Sequence, residues 1–202
     1  MRDLVVLVAD KDMHFAVKGG LSRPEALGIR EIDFDFRSHP RHDAGVRVEG
    51  AAMLASERHR FNHALMLFDH EGCGDPCPVG ELEHKLDEIL RRMWGQNAKA
   101  IVIEPEVDIW LWGSDNALAE AVDWQSSQPI RDWLRQRDFA FDATNKPVRP
   151  KEAFEAVERE LRRAKSASTY AKITGRISLE RCSDPAFTRL RNQLQIWFGL
   201  QG

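Results

Sequence analysis

The stretch LVVLVAD, residues 4–10, decides the fold because six apolar residues in a row precede a carboxylate. A continuous run of this kind, rich in valine, is typical of a strand buried on both faces of a parallel sheet. Two further runs, residues 64–68 and 100–103, have the same character and are also followed by acids. In residues 29–36 apolar and polar residues alternate, as in a strand with one face towards solvent. The sequence therefore predicts four strands.

Helical spacing of apolar residues appears between and after these strands, in residues 44–59, 81–94 and 129–137. A shorter helical stretch after the first strand is expected to stop at Gly19 and Gly20, since glycine weakens a helix. Strands that alternate with helices form right-handed crossovers and a parallel sheet. We therefore predict an α/β fold: a mainly parallel four-stranded sheet with helices on both faces and a helical C-terminal extension.

The length of 202 residues, 43% of them hydrophobic, suits about one domain with a real core. We expect an α/β core over residues 1–145 and a basic helical extension over 146–202, packed on the core through helices at 151–165 and 184–198. From Lys146 onward the chain holds twelve Lys or Arg against six Asp or Glu, whereas the remainder holds 17 bases against 26 acids. The chain thus combines an acidic body with a basic tail.

Overall charge and composition exclude several classes of protein. The net charge of −3 argues against coating of nucleic acid by bulk charge, so any such contact must be local. No apolar run approaches the roughly 18 residues of a membrane span, and the opening residues do not resemble a signal peptide. Three cysteines fit a reducing compartment better than a disulfide framework. We expect a cytoplasmic protein with no membrane partner.

Carboxylates follow three of the four predicted strands: Asp10, then Asp69 with Glu71, then Glu104. Because the carboxyl ends of parallel strands share one edge of the sheet, these acids are expected to meet there and to attract a cation. Mg²⁺, or Mn²⁺, suits hard oxygen ligands and serves phosphoryl-transfer chemistry. The alternative is that each acid merely begins a turn or caps a helix, as Asp43 is expected to do.

Other chemistries receive less support from the sequence. His70, Cys73 and Cys77 offer zinc ligands, but a structural zinc site needs four and no second Cys pair lies nearby. The chain contains neither the Gly-x-Ser-x-Gly elbow of a serine hydrolase nor a phosphate-binding Gly-x-x-x-x-Gly-Lys loop. The sequence therefore does not predict a serine hydrolase or a P-loop ATPase.

Two features bear on nucleic-acid binding. The densest basic run loses its neighbouring acids after Glu160, so we expect phosphate contacts there, although a solvated helix face remains the alternative. The residues expected to contact phosphate are Arg162, Arg163, Lys165, Lys172 and Arg176. The six tryptophans could form a base-stacking platform, but core packing by large aromatic side chains is the interpretation we favour.

Four segments together give the chain a family resemblance: LMLFDHEGCG (65–74), IEPEVDIWLWGSD (103–115), KPVRPKEAFE (146–155) and SLERCSDPAFTRLRNQLQIWF (178–198). A strand ending in an acid, a later strand ending in acid-x-acid and downstream basic residues resemble the Toprim-like domains of topoisomerases, primases and defence nucleases. More narrowly, the chain resembles a Toprim-like family of small bacterial proteins encoded in phage-defence gene clusters. Within that family it looks like a component of methylation-associated defence systems.

The resemblance implies positions for the metal ligands. The first Toprim acid, commonly Glu followed by Gly, falls on or beside Asp10, which is followed here by Lys11. The paired acids, commonly two aspartates, fall on Asp69 and Glu71. The family's next acidic stretch falls on Glu106 and Asp108, which would not both face a metal on one helix.

The resemblance also implies a function. It suggests a Mg²⁺-dependent nuclease of an anti-phage defence system in which Asp10, Asp69 and Glu71 hold the metal and Glu104 acts as an outer ligand or base. Its expected partners are nucleic acid and other defence proteins. The alternative is a non-catalytic subunit that keeps the fold and binds partner proteins.

Overall fold

A computed structural model describes residues 1–164, 166–179 and 182–200 of the chain. Its strands are β1 (Arg2–Val8), β2 (Phe34–Ser38), β3 (Phe61–Asp69) and β4 (Ala98–Ile103). They form one sheet in the order β2-β1-β3-β4, and every neighbouring pair is parallel. Helices surround this sheet. The α/β prediction and the four parallel strands are confirmed.

Ten helical segments accompany the sheet in the described part of the chain. They are α1 (Lys11–Leu21), α2 (Pro24–Leu27), α3 (His42–Ala55), α4 (Val79–Trp94), a 3₁₀ helix (Val107–Gly113), α5 (Asp115–Val122), α6 (Ile130–Arg135), α7 (Pro150–Glu160), α8 (Ala167–Thr174) and α9 (Pro185–Phe198). Among these described helices, none is long and apolar enough to cross a membrane.

The apolar runs at residues 4–9 and 64–68 form the centre of the core. Each side chain in both runs is almost completely shielded from water, since β1 and β3 are the two inner strands and helices cover both faces. Burial of apolar side chains is the main favourable contribution to folding. The continuous hydrophobic pattern thus arises from the central position of these strands.

Strand β2 is shorter than the alternating pattern predicts, and begins at Phe34 instead of residue 29. The backbone of residues 29–30 forms its hydrogen bonds elsewhere: Ile29 makes an isolated bridge to Gly199, and the Arg30 amide donates to the Phe198 carbonyl. The end of α9 therefore holds this segment outside the sheet.

Helix α1 continues through Gly19 and Gly20, where the sequence suggested an end. A Cβ atom on Gly19 would lie 2.1 Å from Thr174 Oγ1 and 2.8 Å from the Ala171 carbonyl oxygen. Glycine is present because α8 packs directly on α1 at this point. The close helix contact outweighs the modest helix propensity of glycine.

The C-terminal segment packs on the rest of the chain through three helices. Helix α7 contacts the 3₁₀ helix, α8 contacts α1, and α9 contacts β4. Helix α7 ends at Glu160, earlier than the predicted 165, because Arg162 adopts a left-handed backbone with φ 52°. Lys165 lies outside the described residues.

Trp110 and Trp112, both on the 3₁₀ helix, are almost completely buried. The Trp110 indole N–H donates to Asp184 Oδ1 at 2.9 Å, and the Trp112 indole N–H donates to the Pro150 carbonyl at 3.2 Å. Both bonds join the 3₁₀ helix to the C-terminal segment. These two side chains serve core packing, as favoured from the sequence.

Gly50 provides a test of how closely α3 lies on the sheet. A Cβ there would lie 2.6 Å from Met66 Sδ and 3.0 Å from Leu7 Cδ2. We expect Gly50→Ala to lower the free energy of unfolding by about 1–3 kcal/mol through overpacking, although alanine favours helix. Urea denaturation measures the change.

The matched control is Gly80→Ala in α4, where a new Cβ meets nothing within 4 Å. We expect this variant to be as stable as the wild type or more stable by up to about 1 kcal/mol. Equal stability of Gly50→Ala and Gly80→Ala would contradict the close approach of α3 to β1 and β3.

Candidate active site

The sheet order creates a crevice beyond the carboxyl ends of β1 and β3. These strands are neighbours, but the chain leaves β1 towards β2 through α1 and leaves β3 towards β4 through α4. In open α/β sheets, ligands bind where the connections diverge in this way. The topology alone therefore marks the space between Asp10 and Asp69.

Three aspartates at this crevice are fixed by backbone amides. Asp10 caps α1 and accepts a bond from the Met13 N–H at 3.0 Å. Asp43, in the first turn of α3, accepts from the Asp69 N–H at 2.8 Å. Asp69 accepts from the Val107 N–H at 2.8 Å. Each bond orients one carboxylate oxygen.

A cavity of about 310 Å³ collects these groups at the edge of the sheet. Its lining residues are Asp10, Asp43, Asp69, Glu71, Gly72, Glu106, Lys151 and Glu152. The structure thus brings together the three acids that the sequence assigned to a metal. It adds three acids, Asp43, Glu106 and Glu152, and a cation, Lys151, whose Nζ lies 3.8 Å from Glu106 Oε2.

Gly72 permits the close packing of this edge. A Cβ on Gly72 would lie 2.6 Å from Asp43 Oδ2. Any larger residue would displace the Asp43 carboxylate. The glycine after Glu71 therefore lets the loop that follows β3 lie directly over α3.

Mutual repulsion and burial disfavour the charged forms of these acids. Burial raises the pKa of Asp69 well above its usual value, and the neighbouring charges of Asp43, Asp108 and Asp10 raise it further. Burial, followed by Asp108, raises the pKa of Glu106 from 4.5 to about 7, although Lys151 opposes the shift. The site therefore holds excess negative charge that a cation would relieve.

Glu106 and Asp108, two positions apart, point to different partners. Glu106 lines the cavity, whereas Asp108 is almost fully buried and accepts a hydrogen bond from the Tyr170 hydroxyl at 2.7 Å. Burial, followed by the Asp108 charge, raises the pKa of Tyr170, so the phenol keeps its proton. Asp108 thus links the 3₁₀ helix to α8.

The role predicted for Glu104 needs correction. Glu104 is exposed and lines a separate cavity of about 220 Å³ with Glu83 and Arg189, and it does not line the acid cavity. Arg189 pairs with Glu83 at 2.9 Å beside it. The chain turns after β4, so that Glu106, two residues later, reaches the acids.

The donor chemistry at the cavity suits a hard divalent cation, because the acids offer only oxygen atoms and repel one another. As they are placed, no three His, Cys, Asp or Glu side chains in the described residues stand close enough to hold a metal ion. The zinc candidates also have protein partners: His70 Nε2 lies 2.8 Å from the Cys77 carbonyl, and Lys85 Nζ lies 3.1 Å from Cys77 Sγ.

Among the residues that the structure describes, those of the basic tail that the sequence predicts to contact phosphate do not line the acid cavity. Arg162, Arg163 and Lys172 are exposed, and none of them lines the cavity. Arg176 forms an ion pair with Glu120 at 3.2 Å, so it has an acidic neighbour in space that the local sequence does not show. Lys165 is outside the described residues. Contact between this patch and phosphate stays a prediction.

Comparison with known proteins identifies a similar fold. No protein-family model matches the chain, and no curated protein matches its sequence. Among solved structures, the chain is similar to the C-terminal region of the Burkholderia pseudomallei OLD protein, with a TM-score of 0.51 and 12% sequence identity. The match covers 97% of this chain and 98% of that chain. At this identity the likeness concerns the fold.

The raised pKa of Glu106 predicts a pH-dependent stability. The pKa of Glu106 in the folded protein exceeds the ordinary value of 4.5. The contribution of Glu106 to the free energy of unfolding is therefore complete below pH 4.5 and is lost as the pH rises towards about 7. We expect Glu106→Gln to match the wild type at acidic pH and to exceed its free energy of unfolding by about 3 kcal/mol above pH 7. Urea denaturation in a chelator across this pH range measures the free energy of unfolding of the wild type and of the variant.

The control for this experiment is Glu104→Gln, the same chemical change on an exposed side chain outside the acid cavity. It should leave the shape of the stability profile unchanged. A Glu106→Gln profile that runs parallel to the wild type would mean that neither burial nor the neighbouring acids raise the pKa of Glu106.

Proposed function

We propose that this chain is a metal-dependent, Toprim-like enzyme that acts on phosphodiester bonds as part of a bacterial anti-phage defence system. The observation that carries the proposal is that six carboxylates line one cavity at the divergence of β1 and β3. They are Asp10, Asp43, Asp69, Glu71, Glu106 and Glu152, contributed by five separate parts of the chain. Such a concentration of like charge is costly for folding alone and is typical of a functional site.

Two further observations support the Toprim-like and defence assignments. The fold likeness to the C-terminal region of the OLD protein spans nearly the whole chain and supports a Toprim-like relation at the level of architecture. The four sequence segments that resemble the phage-defence family include Asp69, Glu71, Glu106 and Lys151, which line the acid cavity. Residues of the family-like segments thus line the cavity at the sheet edge of a Toprim-like architecture.

Within the proposed site, Asp10, Asp69 and Glu71 would hold Mg²⁺ or Mn²⁺, with Asp43 and Glu106 beside them. The metal would neutralise phosphate charge and lower the pKa of a bound water. The Asp43 carboxylate positions Asp69 through the bond from the Asp69 N–H. Glu106, with a pKa of about 7, is suited to accept a proton near neutral pH. Lys151 at the cavity rim would contact a phosphate oxygen.

A second candidate function is that of a non-catalytic subunit that binds partner proteins. The observation that favours it is that Asp10, Asp43 and Asp69 each accept a backbone hydrogen bond. Capping and loop fixation would give these residues a structural role without chemistry. The two functions differ in their response to divalent metal.

Asp69→Asn separates the two functions. Asparagine keeps an oxygen for the Val107 N–H and removes a charge crowded by Asp43, so we expect unchanged or higher stability in a chelator. In the wild type, metal at tenfold its Kd should stabilise the fold by about 1.4 kcal/mol. The variant should lose this response together with Mg²⁺- or Mn²⁺-dependent cleavage of labelled DNA and RNA. Thermal melting and gel assays measure the two effects.

The control is Asp132→Asn, which removes a charge from an exposed surface ion pair with Arg135. It should retain both the metal response and cleavage. A wild type without a metal response would favour the non-catalytic subunit. A marked loss of chelator stability in Asp69→Asn would identify Asp69 as a structural cap.

A further inference from the structure

A second cavity, of about 440 Å³, lies beside the acid cavity. It is called here the side cleft, and its walls come from the segment that follows α6 and from the chain before α7: Arg137, Asp138, Phe139, Ala140, Val148 and Arg149. Glu152 lines both the side cleft and the acid cavity. A molecule held at the acids could therefore extend into the side cleft.

The two walls of the side cleft are held together by a short hairpin. The Val148 N–H donates to the Ala140 carbonyl at 3.0 Å, and Phe141 bridges to Pro147 just beyond. The loop of the hairpin is fixed by Asp142, which accepts bonds from backbone amides of the loop at 2.8 and 2.9 Å. The walls therefore need little rearrangement to receive a ligand.

The chemistry of the side cleft differs from that of a basic groove that binds a run of phosphates. Two arginines, Arg137 and Arg149, are balanced by Asp138 and Glu152, so the charged groups carry no net charge. Phe139 is half-buried, Ala140 is exposed, and Val148 is 55% exposed. Apolar walls edged by hydrogen-bond donors and acceptors suit a neutral, planar, polar-edged group better than a run of phosphates.

The two arginines are arranged differently. Arg137 is fixed: its guanidinium stacks 3.9 Å from the centroid of the Trp133 ring. Arg149 is 77% exposed on its side chain, and its contact with Glu152 is long, at 3.8 Å. An exposed guanidinium at the rim can stack on a base or donate hydrogen bonds to its edge at little cost in broken contacts.

We propose that the side cleft binds an unpaired nucleobase of the nucleotide next to the phosphodiester held at the acid cavity. The inference rests on the proposed function and adds a substrate class to it. A base stacked within a duplex cannot enter such a cleft, so the substrate is single-stranded nucleic acid or a nucleotide flipped out of a duplex. Phe139 and Val148 contact the base, and Arg149 contacts its edge or its phosphate.

The test compares Val148→Asp with Val48→Asp, the same substitution at a similarly exposed valine on α3 outside the side cleft. Binding to the full chain is measured by fluorescence anisotropy, in a chelator at low salt. Two single-stranded probes of about eight nucleotides carry equal numbers of phosphates, one with bases and one abasic.

We expect the wild type to bind the base-bearing probe at least about tenfold more tightly than the abasic probe. Val148→Asp should abolish this difference, and Val48→Asp should preserve it. Equal affinity of the wild type for both probes, equal behaviour of the two variants, or no binding of either probe would overturn the proposal.

The result of this binding experiment does not depend on whether the proposed enzyme activity exists, because the experiment contains no divalent metal and measures no cleavage. The absence of a metal response in the wild type would refute the proposed enzyme, and the base preference would still be measurable in the binding experiment. Loss of the base preference with intact metal-dependent cleavage would refute only the side cleft.

Discussion

The pairing of β1 with β3 is the constraint on which the rest of the molecule depends. Both strands are fully apolar through the centre of the sheet, so they occupy its inner positions, and their connections must then diverge to β2 on one side and β4 on the other. That divergence opens the crevice that Asp10 and Asp69 border. The hydrophobic pattern thus determines the location of the polar site.

The acids at this crevice are held there against their own repulsion. Backbone amides from α1, from β3 and from the start of the 3₁₀ helix each donate to one carboxylate oxygen. Each hydrogen bond to a charged acceptor stabilises the arrangement by about 1.5–3 kcal/mol, which offsets part of the cost of burial and like charge. The remaining cost of burial and like charge raises the pKa values of Asp69 and Glu106.

The sequence predicts the elements that depend on local pattern and misses those that depend on packing. Continuous apolar runs identify β1, β3 and β4, and their terminal acids identify Asp10, Asp69 and Glu71 as neighbours. Helix α8 carries a weak pattern and is secured by the close contact that Gly19 permits, which no propensity reveals.

The candidate site shows the same division. Asp43 follows no strand directly, and its position in the first turn of α3 suggests only a cap. It reaches Asp69 because α3 crosses over to lead into β3. Glu104 follows β4 directly but lines a separate cavity. Glu106, two residues later, lines the acid cavity instead, and the position of a strand end does not predict this. Lys151 arrives from the distant start of α7, and only the tertiary packing of α7 on the 3₁₀ helix brings it near.

The hydrogen bond between Tyr170 and Asp108 makes the acid site depend on the C-terminal helices for its stability. The 3₁₀ helix begins with the amide that orients Asp69, carries Asp108 one residue later, and is tied to the C-terminal segment again through Trp110 and Asp184. Removal of the tail would take the Tyr170 hydroxyl from the buried Asp108 carboxylate and the Asp184 carboxylate from the buried Trp110 indole, at a cost in stability. The tail is therefore part of the structural support of the acid site, and the rest of the chain would be less stable without it.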